Sequence, residues 1–149
     1  MRLEDEIKQK QFQSEHSKGL VNLTYTASWL EAKSKLFFEK FDLTPPQYNV
    51  LRILRGQHPK GATVNLIRER MLDKMSDASR IVERLRIKNL LERTTASYDR
   101  RAVDIVINEK GLELLEIIDS KLSDFEKIFK SLSTDEVKTL NILLDKLRD

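Results

Sequence analysis

Along most of this chain apolar residues recur at helical spacing, but between Leu91 and Ile107 the period drops to two. Leu91, Arg93 and Thr95 alternate with Glu92, Thr94 and Ala96, and Val103, Ile105 and Ile107 alternate with Asp104, Val106 and Asn108. Between the two runs lies a polar stretch, SYDRR at 97–101. Two short alternating runs around a polar tip predict a β-hairpin. The tip is longer than a two-residue turn, so it should project. Sequence on either side reads as helix. Gly (4) and Pro (3) are scarce and 34% of the 149 residues are charged, which suits long amphipathic helices with solvated faces. The expected class is mainly α with a small β-hairpin.

Caps and stripes place the helices. Leu20, Leu23, Ala27, Leu30, Phe37 and Phe41 recur at spacings of 3, 4, 3, 7 and 4, a stripe of about six turns. SEHSKG (14–19) reads as a polar interruption before it, and residues 1–13 as a weak helix or an arm. Thr44, Pro45 and Gln47 form a capping box with Pro at the first helical position, and Leu43 and Tyr48 stand at staple positions. Val50, Leu51 and Leu54 continue that face to Gly56, and QHPKGA (57–62) is a loop. Thr63 caps a short helix through Leu66, Ile67 and Arg70. After a turn at 72–75, Ser76 caps another, with Ala78, Ile81, Val82 and Leu85 on its inner face. Asn89, which tolerates the left-handed conformation, stands where the chain leaves it.

Beyond the hairpin, Asn108 is an N-cap with Ile107 and Leu112 at staple positions. Leu115, Ile118, Leu122, Phe125, Phe129 and Leu132 follow at heptad spacing. Ser133 and Glu136 form a second capping box, and Val137, Leu140, Leu144 and Leu147 run to the end. The terminal stripes exceed what a small central domain can cover. A partner chain is the economical cover, and an intramolecular helical bundle is the alternative.

The net charge of +3 is unevenly distributed: residues 1–51 are neutral, 52–101 carry +7 and 102–149 carry −4. A basic middle third suits a polyanion, and it equally describes a solvated basic face. The absence of cysteine excludes a disulfide framework, a thiol nucleophile, a thiolate metal site and a thiol switch. His16 and His58 are far apart in sequence, which argues against a histidine metal or acid–base site. No Ser/His/Asp constellation or Gly-rich phosphate loop is present, so neither an enzyme nor a cofactor is expected. No apolar run exceeds three residues and the first ten lack an apolar leader, so the expectation is a soluble cytoplasmic protein with no membrane span.

Three short helices and a projecting basic hairpin, over 44–108, follow the order of a winged helix-turn-helix. In that arrangement the third short helix enters the major groove and the hairpin reaches the backbone or minor groove. Ser76, Asp77, Ser79 and Arg80 are then the candidate base contacts, with Arg84 one turn further on. Arg bonds guanine bidentately, Ser bonds several bases, and Asp accepts from cytosine N4. Arg100 and Arg101 suit a narrow, strongly negative minor groove. Plainer readings stand beside these: Asp77 as a helix N-terminal charge, Arg84 as a partner of Glu83 or Asp77, and the arginine pair as a solvated turn. Tyr25 and Trp29, four residues apart, with Tyr48 on the next helix, make a candidate aromatic pocket, and ordinary packing is the alternative.

At these residues the chain resembles the MarR-type (multiple-antibiotic-resistance regulator) winged-helix regulators. The resemblance is carried by LTPPQYNVLRIL (43–54), by SRIVERLRIKNLLER (79–93) and, most specifically, by the Asp-x-Arg wing in DRRAVDIVINEKG (99–111). Asn89 stands where the family usually has Gly, and Asn108 where it usually has Thr. The resemblance implies one domain over 1–149, with dimerisation helices at 1–42 and 109–149 around a DNA-binding lobe at 43–108. It implies a homodimer on a pseudo-palindromic operator in double-stranded DNA, usually as a repressor, often released by a small aromatic or phenolic effector. It makes Asp99 and Arg101 the wing pair, with Asp99 orienting Arg101 by a charge-assisted bond, and Arg100 a phosphate contact. The thiol-sensing branch is excluded by the missing cysteine. A different class of function remains: a helical homodimeric protein-interaction adaptor that keeps a degenerate winged helix.

Overall fold

The computed structural model describes residues 1–95, 98, 99 and 103–149. The elements are α1 (Leu3–Glu6), α2 (Glu15–Glu39), α3 (Pro45–Gln57), α4 (Val64–Arg70), α5 (Ala78–Ile87), β1 (Leu91–Thr95), β2 (Val103–Ile107), α6 (Glu109–Asp119), α7 (Leu122–Glu126), a 3-10 turn at Lys127–Phe129, and α8 (Thr134–Leu147). β1 and β2 pair antiparallel from Leu91 opposite Ile107 to Thr95 opposite Val103. Ala62 adds a short bridge to Ile105 on the outer side of β2. The hairpin is therefore as expected; burial alternates along β2, whereas in β1 only Leu91 is buried.

The core lies in the central lobe. Val50, Leu51 and Leu54 of α3 pack with Ile67 of α4, with Ala78, Val82 and Leu85 of α5, and with Leu91, Ile105 and Ile107 of the hairpin. Leu115 and Ile118 close this core from α6. The capping box at Thr44 and Gln47 is present, and Thr63 caps α4 through the Leu66 amide.

The end of α5, the base of the hairpin and the start of α6 form one hydrogen-bonded junction. Asn89 has φ of 58° and turns the chain out of α5, as expected of an Asn at that place. The Asn108 Oδ1 accepts from the Gly111 amide at 3.0 Å, and its Nδ2 donates to the Asn89 carbonyl at 3.0 Å. A Cβ on Gly111 would lie 2.3 Å from the Leu90 carbonyl oxygen, so no other residue fits there without moving the junction. Asn108→Ala removes a helix cap and leaves the Asn89 carbonyl without this donor. The expected loss is about 1–3 kcal/mol, measured by denaturant unfolding. Unchanged stability would mean that the junction adds nothing.

Three local expectations are corrected. SEHSKG opens α2 rather than interrupting it: Ser14 accepts from the Ser17 amide at 3.1 Å and acts as N-cap. The cap of α5 is Asp77, whose Oδ1 accepts from the Arg80 amide. Ser76 does not take that place because its hydroxyl donates to Asp73 at 2.6 Å. The heptad spacing from Leu115 to Leu132 does not mark one helix, since α6 ends at Asp119 and α7 starts afresh at Leu122. Leu115 and Ile118 are in the lobe's own core, and Leu122 and Phe125 pack partly against it.

The terminal helices do not form a bundle that buries their stripes. In the 25 residues of α2 only Phe37 and Phe38 are buried, and α8 has no buried residue. Leu20, Leu36, Ile117, Ile142, Leu143 and Leu147 are all well exposed within the single chain.

Candidate nucleic-acid interface

α5 owes its position to its inner face: Ala78, Val82 and Leu85 are buried, which turns Ser79, Arg80 and Arg84 to the surface. The outer face is partly self-neutralised. Glu83 pairs with Arg86 at 2.8 Å and with Arg93 of β1 at 3.2 Å. The Arg86 guanidinium holds the Glu83 carboxyl below the usual carboxylate range. Glu83 thus ties the helix to the hairpin, and Asp77 is engaged in the cap. Both partners proposed for Arg84 by the plainer reading are engaged elsewhere. Among the described residues, neither Arg80 nor Arg84 has an ion pair. These two arginines are the cations that α5 leaves for a ligand.

Ser76 and Asp77 stand differently from the sequence expectation. The Ser76 hydroxyl donates to Asp73, and one Asp77 oxygen accepts from the helix amide. Their remaining lone pairs can accept from a base, but Ser79 is the exposed hydroxyl on the helix surface.

At the wing, Tyr98 and Asp99 are exposed at the tip side of the hairpin. Arg100 and Arg101 lie outside the described residues. The strands that carry the tip are fixed by their pairing and by the Asn108 junction, so the wing base and α5 form one unit.

The turn before α5, a plain connection by sequence, has a distinct surface. It presents Leu72 and Met75 with 87% and 93% of their surface exposed. Their spacing carries no helical or strand signal, so periodicity does not mark them.

The three aromatic candidates do not share a pocket within one chain. Tyr25 and Trp29 line a cavity of about 140 Å³ with Met1, Arg2, Leu3 and Glu6 of the N-terminal arm. The Tyr25 hydroxyl donates to Glu6 at 2.9 Å. Tyr48 instead stacks on Phe38, with ring centroids 4.2 Å apart. Phe38 lies thirteen residues along α2 from Tyr25, about 20 Å at the helical rise. Among the described residues no group stands in hydrogen-bonding geometry to the buried Tyr48 hydroxyl, although the Arg52 guanidinium lies close by, and burial pushes its pKa up.

Comparison with known proteins gives a consistent answer. The MarR family profile matches residues 41–102. The HTH-type transcriptional regulator MgrA of Staphylococcus aureus is 35% identical over 114 residues, covering 76% of each chain. The crystal structure of a MarR transcription factor from Planctomyces limnophilus superposes with a TM-score of 0.68 at 29% identity, covering 91% of this chain and 98% of that one. The structure of Staphylococcus aureus MepR in complex with DNA superposes with a TM-score of 0.69 at 22% identity, covering 85% and 91%.

Proposed function

The chain belongs to the MarR family of transcriptional regulators, and on that premise we propose that it works in the cytoplasm as a homodimer on pseudo-palindromic double-stranded DNA. Each subunit presents one winged helix to one half-site. The observation that carries this reading is α5: a helix held by its buried face, tied to a hairpin through Glu83, and displaying Arg80 and Arg84 with no ion pair among the described residues. The DNA complex of MepR, a protein of the same fold, supports it. Repression is the sign of regulation that the family resemblance implies.

Dimerisation is supported by the uncovered surface. A 14-residue helix such as α8 is marginal in water on its own, and it has no buried residue within the chain. Residues 1–42 and 109–149 are then the dimerising segments around the lobe at 43–108, with the inner face of α6 shared with the lobe.

In this reading Arg80 and Arg84 reach base edges or phosphates, with Ser79 beside them. Ser76 and Asp77 accept from bases only through the lone pairs left by their local bonds. At the wing, Arg101 enters the minor groove, Asp99 orients it, and Arg100 contacts a phosphate. A small aromatic or phenolic effector is a second layer, favoured by one observation: the Tyr48 hydroxyl is buried where α3 packs on Phe38 of α2, with no group in hydrogen-bonding geometry among the described residues. Tyr25 and Trp29 form a separate cavity and are not needed for it.

A salt titration separates this function from a protein-interaction adaptor. Binding to random duplex DNA should weaken steeply with salt, by a power set by the number of phosphates neutralised. Arg100→Ala should lower that slope by about one per subunit. Weak binding with little slope would favour the adaptor. In the same assay Asp99→Ala and Arg101→Ala should each weaken binding, and the double variant should be little worse than Arg101→Ala, because Asp99 acts through that arginine. Strict additivity would make the tip a solvated turn.

A further inference from the structure

The turn between α4 and α5 presents an unusual surface. It holds two large apolar side chains almost wholly in water, directly before the helix that carries Arg80. Its polar groups are taken up in local hydrogen bonds. The Leu72 amide donates to the Asn49 side chain of α3 at 2.9 Å. The Met75 amide and the Ser76 hydroxyl both donate to Asp73, at 2.9 and 2.6 Å. The Lys74 ammonium donates to the Glu69 carbonyl. The Asp73 carboxyl is held below the usual carboxylate range first by Ser76 and then by the Met75 amide. The turn is therefore tied at both ends and along its length. Its one cation turns back on α4, and Leu72 and Met75 stand exposed beside it.

We propose that Met75, with Leu72 on the same turn, is an apolar base reader that recognises the 5-methyl group of thymine in the major groove. The inference rests on the DNA-binding function above and adds a specificity element to it. Continuity with α5 argues for DNA as the occupant: Met75 lies two residues before the Asp77 cap and five before Arg80, at the end of the helix that base-reading helices direct at base edges. The chemistry selects the base. A phosphate would call for a free cation or hydroxyl, and the turn's own cation and hydroxyl already donate to Glu69 and Asp73. The thymine methyl is the apolar group that the major groove displays, and cytosine lacks it. Methionine is unbranched and polarizable, so it can follow a methyl group without strain.

The test uses the full-length protein and a duplex chosen by selection from random DNA. Each thymine in a half-site is replaced in turn by deoxyuridine, which removes the methyl group and keeps every hydrogen bond. One thymine per half-site should respond, with affinity falling about fourfold for each methyl group lost. Changed in both half-sites, it should cost about fifteenfold. Met75→Ala should bind the thymine duplex as weakly as wild type binds the deoxyuridine one, and should no longer distinguish the two. Met75→Leu should restore much of the discrimination. A side chain 93% exposed can be removed without touching the core, so the melting temperature of Met75→Ala should not change. Wild-type indifference to deoxyuridine at every thymine, or undiminished discrimination by Met75→Ala, would overturn the inference and leave DNA binding standing. Failure of the wild type to select any sequence would overturn the proposed function, and this inference with it.

Discussion

Replacing Leu143 and Leu147 together with glutamate is expected to give a folded monomer that has lost operator binding. The two side chains are 58% and 66% exposed in the single chain, and the helix that carries them has no buried residue. Charging them therefore disturbs no intrachain core. In a dimer the same positions would meet a partner, and unpaired carboxylates there would have to be desolvated. Two winged helices on one dimer bind as a linked pair, and linkage is worth about 10²–10⁴ in affinity. The double variant should run at half the mass in ultracentrifugation, unfold as cooperatively as one lobe, and bind the operator at least 100-fold more weakly. A dimer of unchanged mass with unchanged affinity would place the subunit contact elsewhere.

Leu122 and Phe125 look equally suitable by their heptad spacing, but they would give a misleading result. Phe125 packs against Phe37 at 5.1 Å between ring centroids, and both residues lean on the lobe's core. Glutamate there would unfold the lobe and remove DNA binding for a reason unconnected with dimerisation.

The second large effect is expected at Arg80. If its guanidinium makes a bidentate contact with guanine, Arg80→Ala costs about 1–3 kcal/mol in each half-site and relaxes preference at one position. The effect is doubled in a dimer on a palindrome. The backbone amide of Arg80 donates to Asp77 whatever its side chain, so the cap survives the substitution. Affinity should be measured by anisotropy on the selected duplex and on random DNA. A loss confined to the selected duplex is the expected result. An equal loss on both would reduce Arg80 to a phosphate contact.

What could be read from the sequence is what depends on neighbours along the chain. The boxes at Thr44–Gln47 and Ser133–Glu136 and the caps at Thr63 and Asn108 each need only residues three apart, and all are present. The left-handed Asn89 and the antiparallel hairpin are of the same kind. What was not legible depends on competition or distance. Ser76 and Asp77 are both good caps, and the outcome was decided by Asp73, which takes the Ser76 hydroxyl. A heptad period continues unchanged across a bend, so the break between Asp119 and Leu122 left no trace in the spacing. Tyr25 and Trp29 lie midway along α2, whereas Tyr48 is on α3 against Phe38 at the far end of α2, and composition does not report position. Met75 belongs to no period, and only its exposure draws notice.

The most direct test of a dimeric, groove-reading winged helix is the DNA it selects. Wild-type protein should be incubated with a random duplex pool through several rounds and the bound sequences read. The expected product is an inverted repeat whose half-site centres lie about one helical turn, or a multiple of it, apart, as two symmetry-related helices in successive major grooves require. Enrichment of a single unrepeated site, or no enrichment at all, would contradict it.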